Sequence, residues 1–331
     1  MKRLFAALLL LAAGLARAAS PLQSLDGARQ WLNSAPLSAE QLRGKVVLVD
    51  FWTYSCINCL RTLPWLNAWA QKYGPQGLVV IGVHAPEFSF EKQQANVAKA
   101  VQRLKLSYPV AIDTDFTAWR AFGNSAWPTF HVVDAQGRVR HQQVGESGYE
   151  QTERVLQKLL MEAGATGLTG MTAAPTDGLG LAADHATLRS PETYLGYQHG
   201  TASGIAPDRL KRYTGGEPRL NDWALEGDWI ARAEQAELAG SAGGIVLRFH
   251  ARDLHLVMGP GADGRPLRFR ITLDGKPPGA DAGLDVDAEG RGEIGGERLY
   301  QLVRQRGPVR ERRFEIRFDA VGARAYAFTF G

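Results

Sequence analysis

The chain has 331 residues, of which 45% are hydrophobic and 22% are charged, and its formal net charge is +4. This length favours two domains, and so modest a basic charge gives no indication of a nucleic-acid partner. Only two cysteines are present and the seven histidines show no paired spacing, which argues against a zinc site, so we predict neither a metal nor a cofactor.

The N-terminus has the pattern of a secretory signal. Two basic residues, Lys2 and Arg3, precede an apolar stretch over residues 4–15 and the small-x-small sequence at 16–18. The apolar stretch is too short to cross a bilayer, which takes about 20 residues in a helix. We therefore predict that residues 1–18 are a cleaved signal peptide and that the mature protein is periplasmic.

The next part of the chain alternates apolar strands with helical stretches, which is typical of a parallel or mixed α/β sheet. The predicted elements are a strand at 46–51, a helix at 60–73, a strand at 78–83, a helix at 90–104, a hairpin of strands at 130–133 and 139–144, and a closing helix at 150–161. These elements define a first domain over residues 19–163.

A Gly-, Ala- and Thr-rich stretch follows at residues 164–189 and is predicted to be a linker. Beyond it the hydrophobic period changes to two, as in the alternation of Ile245, Leu247 and Phe249 with polar neighbours. Short strands with one apolar face predict an antiparallel β-sandwich over residues 190–331.

Cys56 and Cys59, separated by two residues, lie where a predicted strand gives way to a helix. The N-terminus of a helix stabilises a thiolate and lowers its pKa, so we predict that Cys56 is the attacking sulfur. Cys59, one turn further into the helix, would resolve the mixed disulfide and close a Cys56–Cys59 disulfide. A structural disulfide and half of a zinc site are the alternatives.

The run Val-Asp-Phe-Trp followed by Cys-x-x-Cys, with Pro64 five residues after the second cysteine, resembles the thioredoxin superfamily. The resemblance implies a thioredoxin fold in which Pro128 is a cis-proline beside the cysteines. It also implies that the loop of Trp127, Pro128 and Thr129 binds the substrate backbone. Trp52 and Trp127 are predicted to flank and shield the sulfurs, and Trp52 is also predicted to be a substrate-binding residue. Both could instead simply be core aromatics.

Asp50 lies within the first predicted apolar strand. Burial of an ionised carboxylate is costly, so we predict a raised pKa for Asp50. By family resemblance, Asp50 would take the proton from Cys59 during attack on the mixed disulfide. The alternative is a structural aspartate held by backbone N–H groups.

Glu87 follows the second predicted strand and should share a rim of the sheet with Cys56. The TlpA- and ResA-type reductases resemble the chain here, since they carry a glutamate at this point and then an inserted helical segment, for which residues 89–108 have a suitable length. Glu87 is thus a second candidate for tuning the cysteines. His84 is a weaker one, and either residue could instead be exposed to water in a loop.

Three segments also resemble the exported part of DipZ-type proteins: Phe-Trp-Thr-Tyr-Ser-Cys-Ile-Asn-Cys, Gly-Val-His-Ala-Pro-Glu-Phe, and Ser-Pro-Glu-Thr-Tyr-Leu-Gly at 190–196. This resemblance covers nearly all of the mature chain and implies a second domain like a jelly-roll carbohydrate-binding module. In DipZ-type proteins a membrane domain resembling CcdA precedes these parts. We therefore expect a separate CcdA- or DsbD-like membrane electron donor for reduction of protein substrates.

Two other functions stay open at this point. Thr53 and Cys56 match the Thr-x-x-Cys part of a peroxidase motif, but Val49 stands where peroxiredoxins have proline. Alternatively, the second domain could bind a glycan or peptide while the cysteines form a fixed bridge. That idea rests on its aromatic residues, which are Tyr194, Tyr197, Tyr213, Trp223 and Trp229. We favour an exported thiol-disulfide oxidoreductase.

Overall fold

A computed structural model describes residues 20–28, 30–174, 178–199 and 204–331. The predicted signal peptide lies outside the described residues, as do residues 175–177 of the predicted linker.

The first domain is a six-stranded mixed sheet with the strand order β1-β4-β3-β2-β5-β6. Its strands are β1 (Trp31–Leu32), β2 (Val46–Trp52), β3 (Leu78–His84), β4 (Val110–Ile112), β5 (Thr129–Val133) and β6 (Val139–Val144). Strand β2 is parallel to β3 and antiparallel to β5. All seven of its residues are buried, as expected of an apolar strand covered on both faces. This is the predicted thioredoxin fold.

In the part of the chain that the structure describes, four α-helices accompany this sheet: α1 (Ile57–Tyr73), α2 (Gln94–Arg103), α3 (Thr117–Ala121) and α4 (Tyr149–Glu162). Short 3-10 helices occur at Pro21–Gly27, Gly74–Gln76 and Ser89–Lys92. The helix predicted at 90–104 is thus shorter than expected and preceded by a separate turn. Within this turn, the side chain of Glu91 accepts hydrogen bonds from the backbone N–H groups of Glu87 and Phe88, just before the turn.

The described part of the predicted linker forms hydrogen bonds with the first domain. Glu153, in α4, accepts hydrogen bonds from both the backbone N–H and the hydroxyl of Thr172. Lys72 in α1 donates to the carbonyl of Gly170. Residues near 170 therefore lie against the first domain, and a further 3-10 turn follows at Gly178–Gly180.

The second domain is all-β and antiparallel, as predicted, and its ten strands form one hydrogen-bonded sheet that curls around a core. The main path runs β13-β12-β15-β10-β16-β11-β14, with β7 beside β16, and β8 and β9 continuing from β10. The strands are β7 (Thr193–Tyr194), β8 (Leu210–Thr214), β9 (Trp223–Ala231), β10 (Ala236–His250), β11 (Asp253–Gly259), β12 (Leu267–Leu273), β13 (Arg291–Ile294), β14 (Arg298–Arg304), β15 (Glu311–Phe318) and β16 (Arg324–Phe330), and a 3-10 helix lies at Gly279–Asp281.

The two domains share a hydrophobic contact. Tyr326 of β16 is 2% exposed and belongs to the same buried cluster as α1 and β2 of the first domain. Its ring centroid lies 5.3 Å from that of Phe88 and 4.8 Å from that of Phe90, in the segment after β3. The second domain is therefore packed against the loop that carries Glu87. Within the described ranges, no helix is both long and apolar enough to span a bilayer.

Candidate active site

Cys56 lies at the turn between β2 and α1, where it is the N-cap residue of the helix. Its Sγ accepts a hydrogen bond from the backbone N–H of Cys59 at 3.3 Å. Cys56 is partly exposed, whereas Cys59 is fully buried, and both are free thiols. One sulfur is thus reachable and held at a helix N-terminus, while the other is shielded behind it.

The prediction that Cys56 has a lowered pKa is wrong for this dithiol form. The Cys59 side chain lowers the pKa of Cys56, but burial and the Glu87 charge raise it, and the net direction is upward. Burial, followed by the influence of Cys56, raises the pKa of Cys59 well above its usual value. The helix N-terminus therefore supplies a donor to the sulfur without making the dithiol unusually acidic.

Asp50 is fully buried in β2, and neither of its carboxylate oxygens has a hydrogen-bond partner among the described residues. Burial raises its pKa well above the usual value, which confirms the predicted direction. The alternative of a carboxylate held by backbone N–H groups is not what the structure has. Asp50 also lies close enough to Cys59 for its charge to contribute to the raised pKa of that thiol.

Glu87 lies just beyond β3 and lines the same cleft as Cys56. Its Oε1 accepts a hydrogen bond of 2.6 Å from the hydroxyl of Tyr194, a residue of the second domain. Burial and the charges of Glu192 and Glu91 raise the pKa of Glu87 to about 8. The carboxyl group is therefore mostly protonated at neutral pH and ionises in the mildly alkaline range.

Glu91 was not among the sequence candidates, yet it organises the loop beneath the cysteines. It is fully buried, and one oxygen accepts from the Ser55 hydroxyl at 2.7 Å. The other oxygen accepts from the backbone N–H groups of Glu87 and Phe88 at 2.7 and 3.0 Å. Glu91 thereby ties the residue before Cys56 to the loop that carries Glu87.

The Trp127–Pro128 peptide bond is cis, as predicted. Trp127 lines the cleft, and its indole Nε1 donates to the carbonyl of Ala85 at 3.1 Å. Thr129 is 1% exposed, and its hydroxyl donates to the carbonyl of Ala126. The prediction that the loop of Trp127, Pro128 and Thr129 binds the substrate backbone stays a prediction.

Trp52 is also placed differently from its prediction as a substrate-binding residue. It is fully buried in the core beneath the site and packs edge-on against His84. Such a position allows Trp52 to support the site but not to contact a substrate. His84 is buried too, its ring stacks on Tyr54, and burial lowers its pKa to about 3, so it is a neutral core histidine.

Both domains line the cleft in front of Cys56, which has a volume of about 610 Å³. The first domain contributes the Cys56 turn, Glu87, the Trp127 loop and the loop after β6, where Glu146 lies. Glu192 and Tyr194 of the second domain form part of the facing wall. Sequence reasoning missed both as site residues, although they fall in the 190–196 segment that carried the DipZ-type resemblance.

Three of the aromatic residues that suggested a sugar-binding second domain make contacts within the protein. Trp229 is fully buried, and its ring packs edge-on against Phe318 in the core of the curled sheet. Tyr197 is 38% exposed, and its hydroxyl donates to Asp208 at 2.8 Å. The hydroxyl of Tyr194 donates a hydrogen bond to Glu87 in the cleft.

Comparison with known proteins finds two family models on the chain. The model described as Redoxin matches residues 18–160, and the model described as Thioredoxin like C-terminal domain matches residues 190–331. Among curated relatives, Protein DipZ of Mycobacterium tuberculosis (strain CDC 1551 / Oshkosh) is 35% identical over 323 residues, which cover 93% of this chain and 42% of DipZ. The chain thus spans less than half the length of that relative.

Two further relatives are matched over most of their own length. Thiol-disulfide oxidoreductase YkuV of Bacillus subtilis (strain 168) is 32% identical over 143 residues, or 43% of this chain and 95% of YkuV. Thiol-disulfide oxidoreductase ResA of Bacillus thuringiensis (strain Al Hakam) is 30% identical over 128 residues, or 39% of this chain and 71% of ResA.

Proposed function

This chain belongs to the thioredoxin superfamily of thiol-disulfide oxidoreductases, and on that premise we propose that it exchanges disulfides with exported proteins through Cys56 and Cys59. The observation that carries the proposal is the arrangement of the two sulfurs. Cys56 is reachable at the N-terminus of α1, Cys59 is buried behind it, and the Cys59 N–H contacts the Cys56 sulfur.

In the proposed reaction, the Cys56 thiolate attacks one sulfur of a substrate disulfide and releases the other as a thiolate. A mixed disulfide then joins Cys56 to the substrate. Cys59 loses its proton to Asp50, attacks the Cys56 sulfur and expels the substrate thiolate, which leaves a Cys56–Cys59 disulfide. The two electrons gained by the substrate come from the two cysteines.

The electrostatics of the site support a reductase. A strongly oxidising pair such as that of DsbA owes its potential to a stabilised thiolate with a very low pKa. Here the net effect of the surroundings raises the pKa of both Cys56 and Cys59, so the reduced form gains no such stabilisation. The pair should therefore donate electrons more readily than it accepts them.

A reductase in an oxidising compartment needs a supply of electrons, since its disulfide would otherwise accumulate. The signal-like N-terminus supports export to the periplasm. We propose that a separate CcdA- or DsbD-like membrane protein reduces the Cys56–Cys59 disulfide. The side of the cleft formed by Trp127 would hold the substrate segment beside the Pro128 peptide bond.

The test is to mix the reduced full chain with a peptide that contains one internal disulfide and to follow peptide thiols over time. We expect one equivalent of peptide to be reduced, with the reaction abolished in Cys56→Ser. In a second arm of the test, the reduced chain is mixed with hydrogen peroxide and peroxide consumption is followed. Rapid peroxide consumption that depends on Cys56, together with negligible peptide reduction, would overturn the proposal in favour of a thiol peroxidase.

A further inference from the structure

Tyr194 of the second domain reaches across the domain boundary into the dithiol site. Its hydroxyl lies 2.6 Å from Oε1 of Glu87 and 3.1 Å from Oε2 of Glu192. The ring packs against Phe88, with 6.3 Å between centroids, and against His199, with 5.1 Å. The position of the hydroxyl is therefore constrained by contacts of the ring with two neighbouring rings.

A phenol has one proton to donate, and two carboxyl groups lie around this one. The shorter contact is with Glu87, so the proton is donated there. Donation of a hydrogen bond to a carboxylate favours its charged form. Tyr194 thus opposes the burial that keeps Glu87 protonated.

Glu87 in turn acts on the attacking sulfur. Both residues line the cleft, and the Glu87 charge raises the pKa of the Cys56 thiol. The titratable groups around Glu87 come from both domains and are Glu91, Cys56, Glu192 and Tyr194, with Glu146 and His185 further along the cleft. The only group among them that donates a hydrogen bond to the Glu87 side chain, within the described residues, is Tyr194.

We propose that Tyr194 is a positioning residue through which the second domain controls the charge of Glu87 and thereby the ionisation of Cys56. The proposal deepens the function proposed above and rests on it only for the identity of the attacking sulfur. It gives the second domain a part in the chemistry of the dithiol beyond a merely structural one.

The test is the pH dependence of Cys56 alkylation by iodoacetamide in the reduced full chain, with the adduct located by mass spectrometry. Because Glu87 has a pKa of about 8, it is partly ionised at pH 8 in the unmodified protein. Tyr194→Phe keeps the ring and removes the donor, so Glu87 stays protonated to higher pH. We expect alkylation of Tyr194→Phe at pH 8 to be on the order of two- to fivefold faster than that of the unmodified protein, because part of one nearby negative charge is lost.

Tyr197→Phe is the matched control, because it also removes a tyrosine hydroxyl from this segment. The partner of that hydroxyl, Asp208, lies outside the cleft. This variant should leave the profile unchanged. Glu87→Gln should also speed alkylation, and adding Tyr194→Phe to Glu87→Gln should produce no further change. Circular dichroism of each variant verifies that the fold is retained.

Two results would overturn the proposal. One is an alkylation profile in Tyr194→Phe that is unchanged or slower than that of the unmodified protein. The other is a Tyr194→Phe effect that persists in the Glu87→Gln background, since the hydroxyl would then act by another route. Alkylation needs no substrate, so this outcome is independent of whether the chain reduces peptide disulfides.

Discussion

At the residue scale, Asp50 shows the most direct link between sequence and chemistry. A carboxyl group inside an apolar strand could be expected to have a raised pKa, and the structure leaves both of its oxygens without a partner among the described residues. Such a group takes up a proton more readily than an exposed aspartate. This property suits the role proposed for it beside Cys59.

The first prediction concerns Asp50→Asn. An unfolded aspartate has a pKa of about 3.9, and the folded value is raised. As the pH rises from about 4 towards the folded pKa, the unfolded chain loses this proton while the folded protein keeps it, so the free energy of unfolding falls. The amide avoids this cost. We expect the free energy of unfolding of Asp50→Asn to match that of the unmodified protein near pH 4.

Above that pH, urea titrations should show the variant gaining up to about 1.4 kcal/mol per pH unit relative to the unmodified protein, until the folded pKa is reached. The same variant should release product from the mixed disulfide more slowly. A stability difference that is independent of pH would show that Asp50 is not a buried group with a raised pKa.

At the scale of the element, the segment after β3 depends on one buried acid. Glu91 accepts hydrogen bonds from Ser55 on one oxygen and from two backbone N–H groups on the other. These bonds join the turn that carries Cys56 to the loop that carries Glu87. Glu91 itself lies in the short 3-10 helix at Ser89–Lys92.

The second prediction is that Glu91→Gln destabilises the protein by about 1 to 3 kcal/mol, since the new amide NH₂ would face donors that have lost their acceptor. Glu150→Gln is the matched control, because Glu150 is exposed in α4 and pairs with the exposed Arg154. Its effect should stay below about 0.5 kcal/mol. Equal effects of the two substitutions in urea unfolding at pH 7 would refute the role given to Glu91.

Local patterns predicted the elements around the site, but not the partners of its side chains. The Cys-x-x-Cys spacing, the apolar strand with Asp50 and the cis bond at Pro128 could all be inferred from short segments. The contact between Tyr194 and Glu87 joins residues 107 positions apart, and that between Ser55 and Glu91 joins residues 36 apart. No local periodicity specifies such pairs.

At the scale of the whole molecule, the two domains form a single packed unit around the cleft. Tyr326 packs against both Phe88 and Phe90, and Glu234 of the second domain accepts hydrogen bonds from the backbone and hydroxyl of Ser89. These contacts hold the wall with Tyr194 against the loop with Glu87. The sequence predicted two domains and a linker, but the composition of each could not reveal that they share a site.

The third prediction is that the two domains unfold together and that Tyr326→Ala uncouples them. Truncation of a buried aromatic residue costs about 3 to 5 kcal/mol, and here the loss falls on the domain contact. Urea unfolding followed by both tryptophan fluorescence and circular dichroism should change from coincident to separate transitions.

Phe314→Ala is the control for this experiment, because Phe314 is fully buried in the core of the second domain, where it packs on Phe328. It should lower the stability of the second domain but leave the contact between the two domains in place. If Tyr326→Ala leaves one coincident transition, the contact does not couple the domains.

The most direct test of the proposed mechanism is to trap the mixed disulfide. Reduced Cys59→Ala protein is incubated with a disulfide-containing peptide, quenched with acid and analysed by mass spectrometry without reductant. We expect one peptide bound to Cys56 in most molecules, little adduct in the unmodified protein and none in Cys56→Ala, since only Cys59 can resolve the intermediate. The absence of any adduct on Cys56 in the Cys59→Ala protein would contradict the mechanism.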